Sequence, residues 1–150
     1  EISSPLSGQV KELSQATDPV FAQGVMGQGV LIEPSQGDLL APVDGVVSVL
    51  FPTKHAVGIV SDQGVEMLMH IGMDTVNLEG KGFTAHVSQG DRVKAGDKLI
   101  SFDIDLIKDA GYVTETPVII TNQDQYQADA LGSLPRQIAV GDALMTATKI

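Results

Sequence analysis

The chain has 150 residues, of which 43% are hydrophobic and 19% are charged, a composition typical of a folded protein rather than of a disordered one. It has no cysteine, which excludes disulfide bonds, thiolate metal sites and cysteine nucleophiles. Its formal net charge of -10 argues against nucleic acid or an anionic membrane surface as a partner and favours a basic protein partner.

Short runs rich in valine and isoleucine, separated by glycine and proline, predict many short strands joined by turns. In chain order, the predicted strands cover residues 29–32, 45–50, 58–60, 65–71, 83–87, 98–103, 117–121 and 143–149. Strands of this length and number are typical of an all-β protein.

Two segments show the strict alternation of a half-buried strand, residues 65–72 and 83–88. In the first segment, one face carries the apolar residues Met67, Met69 and Ile71. The opposite face of that segment carries Glu66, Leu68 and His70. The alternation therefore places His70 on the face of the strand that points away from the predicted core.

Helices are predicted to be few and short. Asp18 and the proline after it match an N-cap residue followed by proline at the first helical position. This pair predicts one or two helical turns through Ala22. Residues 105–110 form a second predicted helix that ends at Gly111, and residues 122–131 a third. Together the elements predict an all-β fold, an antiparallel β-sandwich or barrel-sandwich hybrid with a few short helices.

The length of the chain predicts a single domain over residues 1–150. Because Glu1 is not an initiator methionine, we expect a trimmed chain or a domain cut from a longer polypeptide. No run approaches the roughly 18 apolar residues that a membrane-spanning helix needs. The lack of cysteine suits a reducing cytosol.

Three histidines are the candidate functional residues, and two of them are predicted to lie close together. His70 ends an apolar strand in the segment E-M-L-M-H-I-G-M-D-T-V, and His55 precedes the strand before it. A hairpin through the turn at residues 61–64 would place both on adjacent strands, about 4.8 Å apart. His86 lies on the polar face of its strand and is predicted to be a solvated residue.

Three uses of this histidine pair are open. The first is structural, with both rings hydrogen-bonded to the backbone. The second is a zinc site or zinc-dependent hydrolase, in which His55, His70 and a carboxylate bind the ion. The third is covalent phosphoryl transfer, because a neutral imidazole is a good nucleophile at pH 7 when its other nitrogen is held as a donor. In that third use, the apolar neighbours would exclude the water that hydrolyses a phosphoimidazole.

Five segments together resemble one family along nearly the whole chain, the glucose-type enzyme IIA domain of the bacterial sugar phosphotransferase system. They are F-P-T-K-H-A at 51–56, H-I-G-M-D-T-V at 70–76, G-K-G-F at 80–83, G-D-R-V-K-A-G-D at 90–97 and T-P-V-I-I-T-N at 116–122. The second of these, following T-K-H-A in the same order, is the most specific. The resemblance favours phosphoryl transfer over the other two uses and implies an antiparallel β-sandwich.

The resemblance also implies roles for individual residues. His70 matches the phosphoacceptor, which carries the phosphoryl group on Nε2 while a main-chain carbonyl orients Nδ1. His55 matches the second active-site histidine, which stabilises the phosphoryl group, and Thr53 matches a hydroxyl in the same hydrogen-bond network. Gly72 keeps the backbone close to the ring. The family works without a metal or an organic cofactor.

Partners are implied in the same way. Phosphate would come from HPr, a basic carrier phosphorylated on histidine, and leave to a cysteine on the IIB domain of a sugar permease; regulatory proteins are further expected partners. The domain would be cytoplasmic, either free or tethered to a membrane permease. The docking face would be an apolar patch with two acids, Asp18 and Asp74, at its rim. Its other members are Val20, Phe21, Val25, Met26, Phe51, Leu68, Gly72 and Val76.

Overall fold

The computed structural model describes residues 1–150, which form fourteen strands, two α-helices and two 3₁₀ turns. The strands are β1 Ile2–Ser3, β2 Gly8–Glu12, β3 Gln28–Pro34, β4 Asp38–Leu40, β5 Gly45–Leu50, β6 Ala56–Ser61, β7 Glu66–His70, β8 Phe83–Ala85, β9 Arg92–Val93, β10 Lys98–Phe102, β11 Thr116–Ile120, β12 Tyr126–Ala130, β13 Arg136–Ile138 and β14 Ala143–Lys149. The helices are α1 Pro19–Ala22 and α2 Ile104–Asp109, and the 3₁₀ turns cover Leu13–Gln15 and Thr75–Leu78.

All strand pairs are antiparallel and form three sheets. The large sheet has the order β13-β2-β3-β11-β7-β6-β5-β9, and the two small sheets have the orders β1-β14-β12 and β4-β10-β8. One core of 25 buried residues takes side chains from all three, such as Met69 from the large sheet, Leu144 from the first small sheet and Leu99 from the second. The small sheets therefore cover one face of the large sheet, and the predicted antiparallel β-sandwich is confirmed.

The opposite face of the large sheet, here called the outer face, is only partly covered. Helix α1 packs there through Phe21, which joins a second buried cluster with Leu13, Leu31, Met73 and Ile119. Leu31 and Ile119 point to the outer face, since their neighbours along β3 and β11 point into the main core. The cluster leaves the remainder of this face free to carry the histidines.

Each of the eight predicted strands coincides with an observed strand, and their alternation is confirmed in β7, where Met67 and Met69 are buried. Six strands were not predicted: β1, β2, β4, β9, β12 and β13. The third predicted helix is wrong, because residues 126–130 form β12 along β14. Tyr126 and Ala128 pack against the core while Gln127 and Asp129 are exposed, which is the period of a strand.

The two remaining helix predictions are confirmed. Asp18 caps α1, since its Oδ1 accepts from the backbone N–H of Val20 at 2.9 Å, and Pro19 occupies the first helical position. Helix α2 begins one residue earlier than predicted because Asp103, the residue after β10, caps it by accepting from the N–H of Leu106 at 3.1 Å. Neither helix has the length and apolar character that crossing a membrane requires.

Candidate active site

The β6–β7 hairpin brings His55 and His70 together as the sequence predicted. Ala56 is paired with His70 across the hairpin, and the N–H of Ile71 donates to the carbonyl of His55 at 2.7 Å. The two imidazole centroids lie 4.9 Å apart, with the ring planes at 83°. Both rings are thus close enough to act on one small group placed between them.

His70 is half-buried on the outer face, and its ring is held by one backbone contact. Its Nδ1 lies 2.7 Å from the carbonyl oxygen of Gly72. A carbonyl oxygen only accepts hydrogen bonds, so Nδ1 carries the proton and donates it, and Nε2 keeps its lone pair. The contact therefore selects the tautomer in which Nε2 is the nucleophilic atom.

Gly72 can make this contact because it has no side chain. Its φ is +73°, in the left-handed region that favours glycine. A Cβ at this position would lie 2.7 Å from the carbonyl oxygen of Val113 and 2.6 Å from Cγ2 of Thr75. The turn that presents the carbonyl to His70 thus depends on glycine for its backbone conformation and for its space.

His55 is buried at the base of the site, with 3% of its surface exposed. Its Nδ1 lies 2.6 Å from Oγ1 of Thr53, two residues before it, and the Phe51 ring packs edge-on against it at a centroid distance of 5.3 Å. A hydroxyl can donate to Nδ1, and the imidazole proton is then on Nε2. In that arrangement His55 offers an N–H donor to a group bound on its neighbour.

Burial keeps both rings neutral near pH 7. Burial, and to a smaller extent the charge of His70, lower the pKa of His55 from 6.5 to about 4. Burial also lowers the pKa of His70 below 6.5, although the Gly72 carbonyl and the carboxylates of Asp18 and Asp74 oppose that change. A neutral His70 has a free lone pair, which a nucleophile needs.

These pKa values predict how stability depends on pH. In the unfolded chain His55 binds a proton near pH 6.5, but in the folded chain it binds one only near pH 4. The unfolded state therefore binds more protons between these values, and the free energy of unfolding should fall as the pH is lowered from 6.5 to 4. Urea unfolding at pH 7 and pH 5 measures this fall, which should be smaller in His55→Leu. An NMR titration of the His55 ring with a midpoint near 6.5 would contradict the prediction.

An apolar surface surrounds the two rings. The Phe21 ring lies over His70 at a centroid distance of 5.1 Å. Four of the residues predicted for docking are well exposed, with relative exposures of 46% for Val20, 67% for Val25, 42% for Met26 and 47% for Val76. Phe51, Leu68 and Asp18 are half-buried, and Asp74 is exposed.

Two residues predicted for the docking surface lie beneath it instead. Phe21 is only 6% exposed because its ring closes the second apolar cluster. Gly72 is buried because the Val113 backbone and the Thr75 side chain pack against it. Both support the site from below. His86 is exposed, as predicted, and its Nε2 lies 2.8 Å from Oγ of Ser101, away from the histidine pair.

Two further exposed valines, Val113 and Val49, border the site and were not predicted. Val113 has 43% of its surface exposed, and its carbonyl accepts from the N–H of Met73 beside the His70 turn. Val46 and Val49, each 37% exposed, lie on β5. Val46 faces outward by alternation with buried Val47, and a bulge between residues 47 and 49 turns Val49 outward as well, so Val49 is in line with Leu68 across the gap left by Gly58. Alternation alone predicts that Val46 and Val49 lie on opposite faces of the strand. The exposed position of Val49 could therefore be found only from the bulge.

The zinc alternative finds little support. Zinc in a protein takes at least three ligands from histidine, cysteine, aspartate or glutamate. The structure contains no group of three or more such side chains spaced to hold one ion.

Comparison with known proteins gives a consistent result. Residues 1–126 match the family model described as phosphoenolpyruvate-dependent sugar phosphotransferase system, EIIA 1. The chain is 54% identical over 123 residues to a glucose-specific EIIA component of the PTS system from Bacillus cereus, a match that covers 82% of this chain and 74% of that protein. These matches do not support the zinc-dependent hydrolase.

Two other relatives extend the comparison. A PTS system beta-glucoside-specific EIIBCA component from Bacillus subtilis is 58% identical over 125 residues, which are 83% of this chain and 20% of that protein. The chain therefore spans about a fifth of the length of that relative. The solved structure of glucose permease IIA from Mycoplasma capricolum superposes with a TM-score of 0.85 at 36% identity, covering 96% of this chain and 92% of the other.

Proposed function

Because the chain belongs to the EIIA 1 family of the phosphoenolpyruvate-dependent sugar phosphotransferase system, we propose that it is the phosphocarrier that accepts a phosphoryl group on His70 from phosphorylated HPr and passes it to a cysteine of a permease IIB domain. The observation that supports this most directly is the contact between Nδ1 of His70 and the Gly72 carbonyl, which leaves Nε2 free to react.

In the first transfer, the Nε2 lone pair of His70 attacks phosphorus and forms a new P–N bond. The P–N bond of the donor histidine breaks, and its electron pair returns to the donor ring. In the second transfer, a cysteine thiolate of IIB attacks the same phosphorus, a P–S bond forms, and His70 recovers its lone pair. Each step breaks one bond as another forms, and we expect both to proceed on the side chains of the two proteins alone.

His55 stabilises the phosphoryl group and is not itself phosphorylated. Its ring centroid lies 4.9 Å from that of His70, within reach of a group bound to the neighbouring ring. Thr53 holds Nδ1 of His55, which leaves the Nε2–H group to donate to the oxygens on which charge develops. Because the pKa of His55 is about 4, the ring stays a neutral donor near pH 7.

The apolar surface around the histidines is the docking face for both partners. It excludes water from the phosphoimidazole and gives a partner a dry area to pack on. Asp18 and Asp74 at its rim, together with the net charge of -10, favour a basic donor such as HPr.

The whole chain, residues 1–150, acts as one EIIA domain. The Bacillus subtilis relative is named as an EIIBCA component, a name that places an A part together with B and C parts in one protein. By analogy, this domain works in the cytoplasm beside its IIB acceptor, either as part of such a protein or as a free domain.

Reconstitution tests this function. The purified chain is incubated with phosphoenolpyruvate, enzyme I and HPr, and its mass is followed before and after a IIB domain is added. We expect a gain of one phosphoryl group, located on His70 by fragmentation, and its loss when IIB is added. A gain that does not depend on HPr, or one located on another residue, would contradict the proposal.

A further inference from the structure

Glu115 is a buried carboxylate that the transfer chemistry does not use. Only 6% of its surface is exposed, and it lies immediately before β11. Its Oε1 accepts from the backbone N–H of Thr17 at 2.8 Å and also from the Thr17 hydroxyl. Burying a carboxylate costs free energy unless it is hydrogen-bonded. The contacts with Thr17 offset that cost and therefore hold the Glu115 side chain in one position.

Thr17 is the residue before Asp18, the N-cap of α1. Glu115 therefore ties the start of this helix to the large sheet, across 98 positions of sequence. At the other end of the same segment, Nε2 of Gln123 donates to the carbonyl of Gly24 at 3.3 Å. Two side chains that flank β11 thus hold the two ends of α1, and that of Glu115 makes the closer contacts.

Helix α1 needs such support because it has only four residues. An isolated helix of this length is not stable in water, so its position depends on tertiary contacts. It is also the element that carries Val20 to the surface and the Phe21 ring over His70. A displacement of α1 would therefore move Val20 and Phe21 and change the shape of the docking face.

We propose that Glu115 is a positioning residue for partner docking, which fixes α1 over the outer face through Thr17 and so keeps the apolar surface beside His70 ready to bind. This role rests on the proposed function, because it concerns the docking of the phosphoryl donor. Glu115 contacts neither histidine and is not a catalytic residue.

Removing the carboxylate should weaken docking while leaving the transfer step intact. In Glu115→Leu the Thr17 N–H and hydroxyl lose their partner, but Thr17 is exposed and water can replace it, so the fold should persist. If α1 is then correctly placed in a tenth to a fifth of molecules, the KM for phosphorylated HPr rises about fivefold to tenfold. The kcat of transfer stays within about twofold, because His70 and His55 are unchanged.

Two variants serve as controls. Glu115→Gln keeps an oxygen that accepts from Thr17, so it should restore most of the wild-type KM. Thr116→Val removes the hydroxyl of the next residue, which donates to the carbonyl of Thr114 and not to the segment before α1. This variant should keep the wild-type KM, since it alters the same strand without touching Thr17.

Hydrogen exchange tests the positioning role without any partner. The N–H groups of Phe21 and Ala22 donate to the carbonyl of Asp18, and we expect their exchange to be about tenfold faster in Glu115→Leu. The N–H of Ile71, which donates to the carbonyl of His55 in the hairpin, should exchange as in wild type. Unchanged exchange in α1 would overturn the inference, as would an unchanged KM or a loss confined to kcat. If wild type itself accepts no phosphate from HPr, the proposed function fails, and exchange alone decides whether Glu115 fixes α1.

Discussion

Replacing His70 with glutamine is expected to abolish phosphorylation by phosphoenolpyruvate, enzyme I and HPr. Glutamine has a similar length and its amide can still contact the Gly72 carbonyl, but an amide nitrogen has no lone pair available to attack phosphorus. We expect no phosphoryl group on the variant under conditions that label wild type completely, as measured by intact-protein mass spectrometry.

His86→Gln is the matched control for this experiment. His86 is an exposed histidine on the same chain, bonded to Ser101, and its loss should leave labelling at the wild-type level. Circular dichroism should show the same strand content in both variants. Persistent labelling of His70→Gln, or loss of labelling in His86→Gln, would refute the assignment of His70 as the phosphoacceptor.

The parts of the fold that could be predicted from sequence are those with a local signal. β7 was predictable because Met67 and Met69 alternate with polar or half-exposed neighbours, and α1 because Asp18 and Pro19 form a capping pair. β1 and β9 have only two residues each, too few to show any period. In β12 the alternation rests on Tyr126 and Ala128, but the alanine and glutamine residues of the segment favour a helix, and pairing with β14 decided the outcome.

The same distinction explains what could be predicted of the site. His55 and His70 could be placed together because one short hairpin joins them, and the contacts of Thr53 and Gly72 are also local, each two residues from its histidine. The contact between Glu115 and Thr17 spans 98 positions and has no local pattern, so no reading of a single sequence could find it.

Burial of the two rings explains why a histidine at the end of an apolar strand suits a nucleophile. The same apolar surroundings that lower the pKa of both histidines favour an unprotonated His70 near pH 7 and, in the proposed transfer, would exclude competing water. More carboxylates around His70 would raise its pKa and reduce the fraction of molecules with a free lone pair on Nε2. In the proposed mechanism, the apolar residues around His70 thus contribute to its reactivity as well as to partner docking.

Replacing His55 with leucine is expected to slow both transfers without removing the phosphorylation site. Leucine is apolar and fits a buried position, but it offers no N–H to the phosphoryl oxygens. Loss of one donor aimed at developing charge slows such reactions by about 10² to 10³-fold. Reactions quenched at successive times should therefore show slower gain of the phosphoryl group from HPr and slower loss of it to IIB.

The final extent of labelling distinguishes this role from that of His70. With phosphoenolpyruvate in excess, His55→Leu should still reach nearly one phosphoryl group per chain at long times, because the nucleophile and its contact with Gly72 remain. Thr53→Val, which removes only the hydroxyl that orients His55, should slow transfer in the same direction but by less. A wild-type rate in His55→Leu would show that His55 is merely a buried structural residue. A complete loss of labelling at long times would instead mean that the phosphoryl group needs both rings to form at all.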